Sequence, residues 1–187
     1  MEDRRIRKTK KAFYNALIEL LKDNDIRNIS LQDLCNLADS HRSTFYYHYT
    51  DIYDLYDELE NKILDDFSSV VSANETHSYY DVYDNIISHL YDNGEVWSVL
   101  LGSNGNKNFK DKISKILEEK YIAIWEFEIG KKKFSKKFLT IVKANISAFV
   151  TLFTEWLNNT EGFSSDEINS MLKDMDSAFD SLLDKYV

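Results

Sequence analysis

Proline is absent from the 187 residues, and glycine appears only five times. The two residues that most strongly interrupt helices are nearly missing, so long helices are the expected product. A single cysteine, Cys35, excludes a disulfide framework and fits a reducing compartment. No stretch approaches about 20 consecutive apolar residues, and no apolar run follows the basic start. A soluble, cytoplasmic protein with no membrane partner is the expectation. Basic residues are also in deficit, 23 Lys+Arg against 32 Asp+Glu for a net charge of −9. At face value that balance opposes nucleic acid.

What is present reverses this impression locally. Residues 1–48 hold nine Lys+Arg and seven Asp+Glu, a net of +2, whereas the remainder holds 14 and 25, a net of −11. A modestly basic module on an acidic body is implied. Apolar periodicity in the module (Ala12, Phe13, Ala16, Leu17, Leu20, Leu21) predicts an amphipathic helix over 4–23. Ser30 to Asp33 reads as a capping-box-like start of a short second helix with Leu31, Leu34 and Leu37. Thr50 and Asp51 are placed to cap a fourth helix bearing Ile52, Leu55, Leu59, Ile63 and Phe67.

Between them lies SHRSTFYYHY, residues 40–49. On a helix, Phe45 and Tyr49 share one face with His41 beside them, and Ser43 and Tyr47 point away. The reading is two rings as anchors on Leu17, Leu34 and the fourth helix, with Arg42, Ser43, Thr44, Tyr46 and Tyr47 left outside. Phenols, hydroxyls and a guanidinium together suit phosphates and base edges. A short helix after a tight turn, presenting such a set, fits the recognition helix of a helix-turn-helix. The plainer alternative is a packing helix whose tyrosines cover a neighbouring domain.

The run from Arg7 to Leu55, above all ISLQDLCNLADSHRSTFYYHYTDIYDL, resembles the DNA-binding domain of TetR-family (tetracycline-repressor-like) transcriptional regulators. The resemblance implies an all-α fold: a three-helix DNA-binding domain over 1–50, a connecting helix over 51–74 and an effector-binding and dimerisation domain over 75–187. It also implies DNA contacts from Arg42, Ser43, Thr44, Tyr46, Tyr47, His48 and Gln32, with Arg5 and Lys8 among the basic residues of the first helix. Three positions depart from the family pattern. Asp39 replaces the usual turn glycine, Ser43 replaces another, and Ile52, flanked by Asp51 and Asp54, replaces the lysine that usually opens the fourth helix. The last change removes a phosphate contact, so DNA affinity leans more on Arg4, Arg5, Arg7, Lys8, Lys10 and Lys11.

Beyond residue 75 the pattern predicts helices over 79–93 (stopped by Asp92-Asn93-Gly94), 96–101, 109–127 and 138–157, and a last one opened by the capping box Ser164 to Glu167 and running to Tyr186. The segment WSVLLGSNGNKNF with FVTLFTEWL is similar to the C-terminal domain of the Firmicutes type within the family. The helices 138–157 and 165–186 are the family's usual dimer interface. Ala144, Ser147, Ala148 and Thr151 form a small-residue strip on the first, with Trp156 nearby and Leu172, Met175, Phe179 and Leu182 on the second. The alternative is burial in the monomer core. Trp97, Leu101, Phe109, Tyr121, Trp125, Phe149 and Phe153 are candidates to line an effector pocket, or else plain core.

A phosphate-cradling glycine loop and a His-Glu-x-x-His motif are both missing, and His77 and His89 lie too far apart for helical chelation. Neither an enzyme, a cofactor nor a metal is expected. The function implied is a homodimeric transcriptional regulator, a repressor released from a palindromic duplex operator by a small molecule. The competing reading is a protein-interaction adaptor that kept the fold and weakened or lost DNA binding.

Overall fold

Side-chain caps set the helix boundaries. Ser30 accepts from the Asp33 amide at 3.1 Å and opens α2 (Leu31–Leu37). Here the capping box is only half formed, because Asp33 accepts from the Ser30 hydroxyl instead of the backbone. Asp51 opens α4 (Ile52–Ser72) and Asn106 opens α7 (Lys107–Ile129). Ser164 and Glu167 make the complete reciprocal box at the start of α9 (Ser165–Leu183). Gly130 ends α7 at φ 70°, a left-handed conformation natural to glycine. The remaining helices are α1 (Arg4–Asp23), α3 (Arg42–His48), α5 (Tyr79–Asp92), α6 (Gly94–Leu101) and α8 (Lys136–Asn158).

The computed structural model describes residues 4–73, 79–130, 133–158 and 162–186, without the side chains of residues 79, 80 and 107. Tyr79, His77, Lys131–Lys132 of the basic loop and the expected 74/75 boundary therefore lie outside the described side chains or residues. Among the described residues the fold is all-α, with no strand. One expectation is corrected. α5 ends at Asp92, within the expected stop, but the next helix, α6, begins already at Gly94 rather than at Val96, with Asn93 alone between them.

The helices α1 to α3 pack as a small unit on the start of α4. Phe13, Leu17, Leu34, Phe45 and Leu55 meet there with no exposed surface. Farther along α4, α5 to α9 form a bundle around Trp97, Phe109, Ile86, Phe138, Val142 and Phe149. Full burial of such side chains contributes about 1.5–3 kcal/mol each, before entropy is subtracted. By length and composition α8 is apolar enough to cross a membrane. In this fold its apolar face is covered by α7, α6 and α9.

Candidate nucleic-acid interface and the C-terminal core

α3 has one buried side and one bare side. Phe45 is fully buried, and Tyr49, its C-cap, is nearly so. Both rings meet Phe13 of α1 edge-on, at 5.3 and 6.2 Å between centroids. Across the helix, Tyr46 is 60% and Tyr47 77% exposed. Arg42 and Ser43 are exposed, and Thr44 and His48 are partly so. The His48 ring sits edge-on to Tyr47 at 4.9 Å. Six of the nine sequence-derived DNA contacts thus share one short helix. Gln32 lies exposed on α2, where its amide donates to Asn36 at 2.7 Å. Arg5 and Lys8 are exposed on the first two turns of α1.

The turn before α3 takes the conformation its missing glycine would have taken. Asp39 adopts φ 47°, and the α2 end is closed by Ser40 N–H to Cys35 C=O (3.0 Å) and Asp39 N–H to Asn36 C=O (3.2 Å). That pairing is the Schellman arrangement, which places a left-handed residue after the helix. Aspartate tolerates it better than most residues, though not as freely as glycine. Asp39→Gly is expected to raise stability by about 0.5–1 kcal/mol, since the strain relief outweighs the backbone freedom added to the unfolded chain. It also removes a negative charge beside α3. Denaturant melts and duplex titrations check both effects, and a destabilised variant would contradict the strain argument.

The opening of α4 is built from acids. Asp51 accepts from the Asp54 amide at 2.9 Å, while Asp54 accepts from the Thr50 amide at 2.9 Å and its hydroxyl at 3.2 Å. Ile52 is half-buried against the core rather than held out towards a phosphate. Behind this turn, Glu58 of α4 gathers the module. It accepts from Lys10 (2.8 Å), Tyr14 and the Tyr49 hydroxyl (3.1 Å). Burial alone would raise the Glu58 carboxyl, but these donors hold it below the usual glutamate range. One carboxylate therefore ties α1 and the end of α3 to α4. Sequence reasoning missed Glu58, because its partners lie 9 to 48 residues away.

A second tie joins the module to the bundle. The Asn104 amide donates to the Leu21 carbonyl at 3.1 Å, satisfying an end carbonyl of α1, and the Asn106 N–H donates to Tyr56 of α4 at 2.9 Å. The loop 102–106 reaches both by folding tightly against α6. A Cβ at Gly105 would lie 2.1 Å from the Leu100 carbonyl, so only glycine fits.

Residues 77–176, more than half of the chain, match the TetR-type family described as "Transcriptional regulator C-terminal region". The chain belongs to the TetR family of transcriptional regulators. Its fold is similar to that of a TetR transcriptional regulator from Streptococcus agalactiae 2603V, at 26% identity over 91% of this chain and 96% of that one, with a TM-score of 0.65. Two further solved structures share the fold at lower identity. The dihydroxyacetone kinase operon activator DhaS is 16% identical over 95% of this chain and 97% of its own, TM-score 0.62. NalD, the secondary repressor of the MexAB-OprM multidrug efflux pump in Pseudomonas aeruginosa, is 17% identical over 92% and 96%, TM-score 0.67. No curated protein matches.

In this TetR-family regulator the seven expected pocket residues do not surround one cavity. All are buried, but Trp97 packs on Phe67 and Phe109 (5.1 and 5.8 Å) and Trp125 on Phe138 (5.4 Å). Tyr121 and Phe149 alone of the seven line a small cavity of about 20 Å³ between α5, α7 and α8. Leu101 and Phe153 are core. Rings at helical spacing found each other rather than a void, which is the close-packing outcome. The dimer set also divides. Ala144 and Thr151 are exposed, Ala148 is partly so, and Met175, Phe179 and Leu182 are partly exposed on α9. Leu172 is fully buried and Trp156 is 9% exposed, with its indole donating to the Phe163 carbonyl at 2.9 Å. Both side chains are packed within the monomer, Trp156 at the edge of an open groove lined also by Tyr91, Gly94 and Glu95.

Beside the small cavity is a buried acid. Asp176 of α9 is 1% exposed and accepts from the Tyr121 hydroxyl at 3.1 Å, which also lies 3.0 Å from Asp180. Burial and the neighbouring Asp180 charge push Asp176 up to about 6. A carboxyl raised in the folded state binds a proton that the unfolded chain has already lost. Stability therefore declines as pH rises from about 4 through about 6, and above that the full cost remains. Asp176→Asn is expected to gain on the order of 2 kcal/mol over wild type at pH 8 and little at pH 4. Thermal melts across that range measure the difference, and a constant gap would refute the assignment.

Proposed function

We propose that this regulator is a homodimer that binds a palindromic duplex operator through α3, represses transcription there, and leaves the operator when a small molecule occupies the C-terminal domain. One observation carries the DNA reading: α3 is fastened by Phe45 and Tyr49 while Arg42, Ser43, Tyr46 and Tyr47 are held out bare. In this reading Thr44, His48 and Gln32 complete the base and phosphate contacts, and Arg5 and Lys8 grip the backbone. Residues 1–50 act as the reading domain, 51–74 as the connecting helix and 75–187 as the sensing and pairing domain. The strip of exposed Ala144, Ser147 and Thr151 with partly exposed Ala148 on α8 supports pairing of α8 and α9 with their copies as a four-helix bundle. Ligand release then follows from a shift of α4, which Glu58 transmits to α1 and α3 because it holds both. The protein works in the cytoplasm, where its duplex lies, and carries no catalytic role.

Selection from a randomised duplex pool tests this. Wild type should recover a two-fold symmetric motif with half-sites about one helical turn apart, and affinity should fall steeply with salt. Absence of any motif at low salt, with dimeric protein, would favour the adaptor reading, which Asp39 and Ile52 make the natural second choice.

A further inference from the structure

Between α1, α4 and the junction of α5 with α6 runs an open groove of about 710 Å³. Its charge runs against that of the chain, whose net is −9. Arg7, Lys10 and Lys11 of α1 and Lys62 of α4 line it, and Glu58 is the one carboxylate on its walls among the described residues. Two of these cations are matched within the protein. Lys10 bonds both oxygens of Glu58, at 3.0 and 2.8 Å, and Lys62 pairs with Asp66 at 2.7 Å. Glu58 also accepts from Tyr14 and Tyr49. Arg7 and Lys11 are exposed and form no ion pair among the described residues. They lie one turn apart on the same face of α1. Arg5 and Lys8, assigned above to the DNA backbone, do not line the groove.

The second feature is an apolar floor. Ile18 of α1, Leu59 and Ile63 of α4 and Val96 of α6 line the same groove. Leu59 and Val96 are buried, whereas Ile18 and Ile63 keep part of their surface open. The two features lie at different points along α1. Arg7 and Ile18 are 11 positions apart, about 16 Å of helix axis. Glu95 pairs with Lys22 at 2.6 Å and so seats the start of α6, with Val96, against the later half of α1. A cationic end therefore grades into an apolar end within one groove.

Each feature alone is ordinary, since solvated cations and scattered half-exposed isoleucines are common on protein surfaces. Together they fit a molecule with an anionic head and an apolar body. A nucleic-acid backbone would leave the floor unused, and a neutral hydrophobe would leave Arg7 and Lys11 unmatched. The planar guanidinium of Arg7 suits the fork of a carboxylate, and Lys11 adds a point charge. Glu58 on the same walls disfavours a dianion, so a carboxylate fits better than a phosphate monoester. We propose that this groove binds an amphipathic carboxylate, its head held by Arg7 and Lys11 and its apolar body laid on Ile18, Ile63 and Val96. Such a ligand touches α1, α4 and α6 at once, at the joint between the two domains and outside the C-terminal core. It neutralises two cations of the basic module and fixes α1 against α4, and both effects lower affinity for duplex DNA. That consequence rests on the DNA reading above; the binding itself does not.

Titration calorimetry of the full chain with sodium octanoate tests the site, with sodium acetate and octylammonium chloride as comparisons at equal ionic strength. Saturable binding of octanoate is expected. Hexanoate, shorter by a pair of methylenes, should bind on the order of tenfold more weakly. Acetate lacks the apolar body and octylammonium the negative charge, so neither should saturate. Arg7→Ala combined with Lys11→Ala changes only exposed helix positions and keeps the core, and it should weaken octanoate by roughly tenfold or more. An equal response to octylammonium, no saturation, or undiminished binding by the double variant would overturn the site. Octanoate is then added to the protein bound to its selected duplex. A fall in duplex affinity with octanoate and not with acetate is expected. An unchanged affinity overturns the coupling to DNA while the calorimetry still reports the site. A chain that binds no duplex even without octanoate fails the DNA reading and takes the coupling with it.

Discussion

Phe45→Ala will cost about 3–5 kcal/mol, while Tyr47→Ala, two residues along the same helix, will leave the melting temperature nearly unchanged and cripple DNA binding. The Phe45 ring has no exposed surface and fits edge-on against Phe13, so its removal leaves a cavity that α1 and α3 cannot close without losing Tyr49 as well. Tyr47 is 77% exposed and touches only its neighbour His48 among the described rings. Its loss therefore acts on the bound state alone. At about 1–2 kcal/mol per protomer, and with two protomers on one site, duplex affinity should fall roughly 30- to 1000-fold. Melts and duplex titrations on the two variants separate anchor from probe. If Tyr47→Ala binds as wild type does, α3 does not read DNA.

Ala148→Arg should give a monomer and reduce affinity for a two-half-site duplex by roughly a thousandfold. Ala148 sits in the small-residue strip of α8, between Ala144 and Thr151, and its side chain is partly open to solvent. Close approach of two such helices about a two-fold axis brings each position 148 near its copy's strip. A long cation there both blocks the approach and sets like charges together. The monomer itself should stay folded, because the α8 residues that hold the core, Phe138, Val142, Ile146, Phe149 and Phe153, face the other way. Sedimentation reports the first effect and duplex titration the second. A variant that remains dimeric would remove α8 from the interface, and a monomer with undiminished affinity would remove the need for pairing.

These two predictions differ in how much of them could be read before folding. The division of α3 into anchors and probes follows from a 100° rotation per residue, so residues four apart must share a face. Asp39 in the left-handed turn was likewise legible, since a tight turn at that place admits few conformations. The dimer strip was half legible. Period alone put Trp156 and Leu172 beside it, but whether a stripe faces a neighbour in the same chain or open solvent depends on where α5, α6 and α9 come to rest. The pocket was not legible, because aromatic residues at helical spacing look the same whether they line a void or fill it.

By itself, the sequence determined the helices, their caps, the turn and the face that α3 turns outward. All of these depend on interactions three to five residues apart, where chain geometry leaves little choice. Only the tertiary structure decided the rest. Glu58 meets Lys10 across 48 positions, Asn104 meets Leu21 across 83, and Tyr121 meets Asp176 across 55. No periodicity reaches over such distances. These contacts exist because burying the apolar faces of α4, α7 and α9 brings their polar residues together and leaves each to find whatever partner the packing supplies.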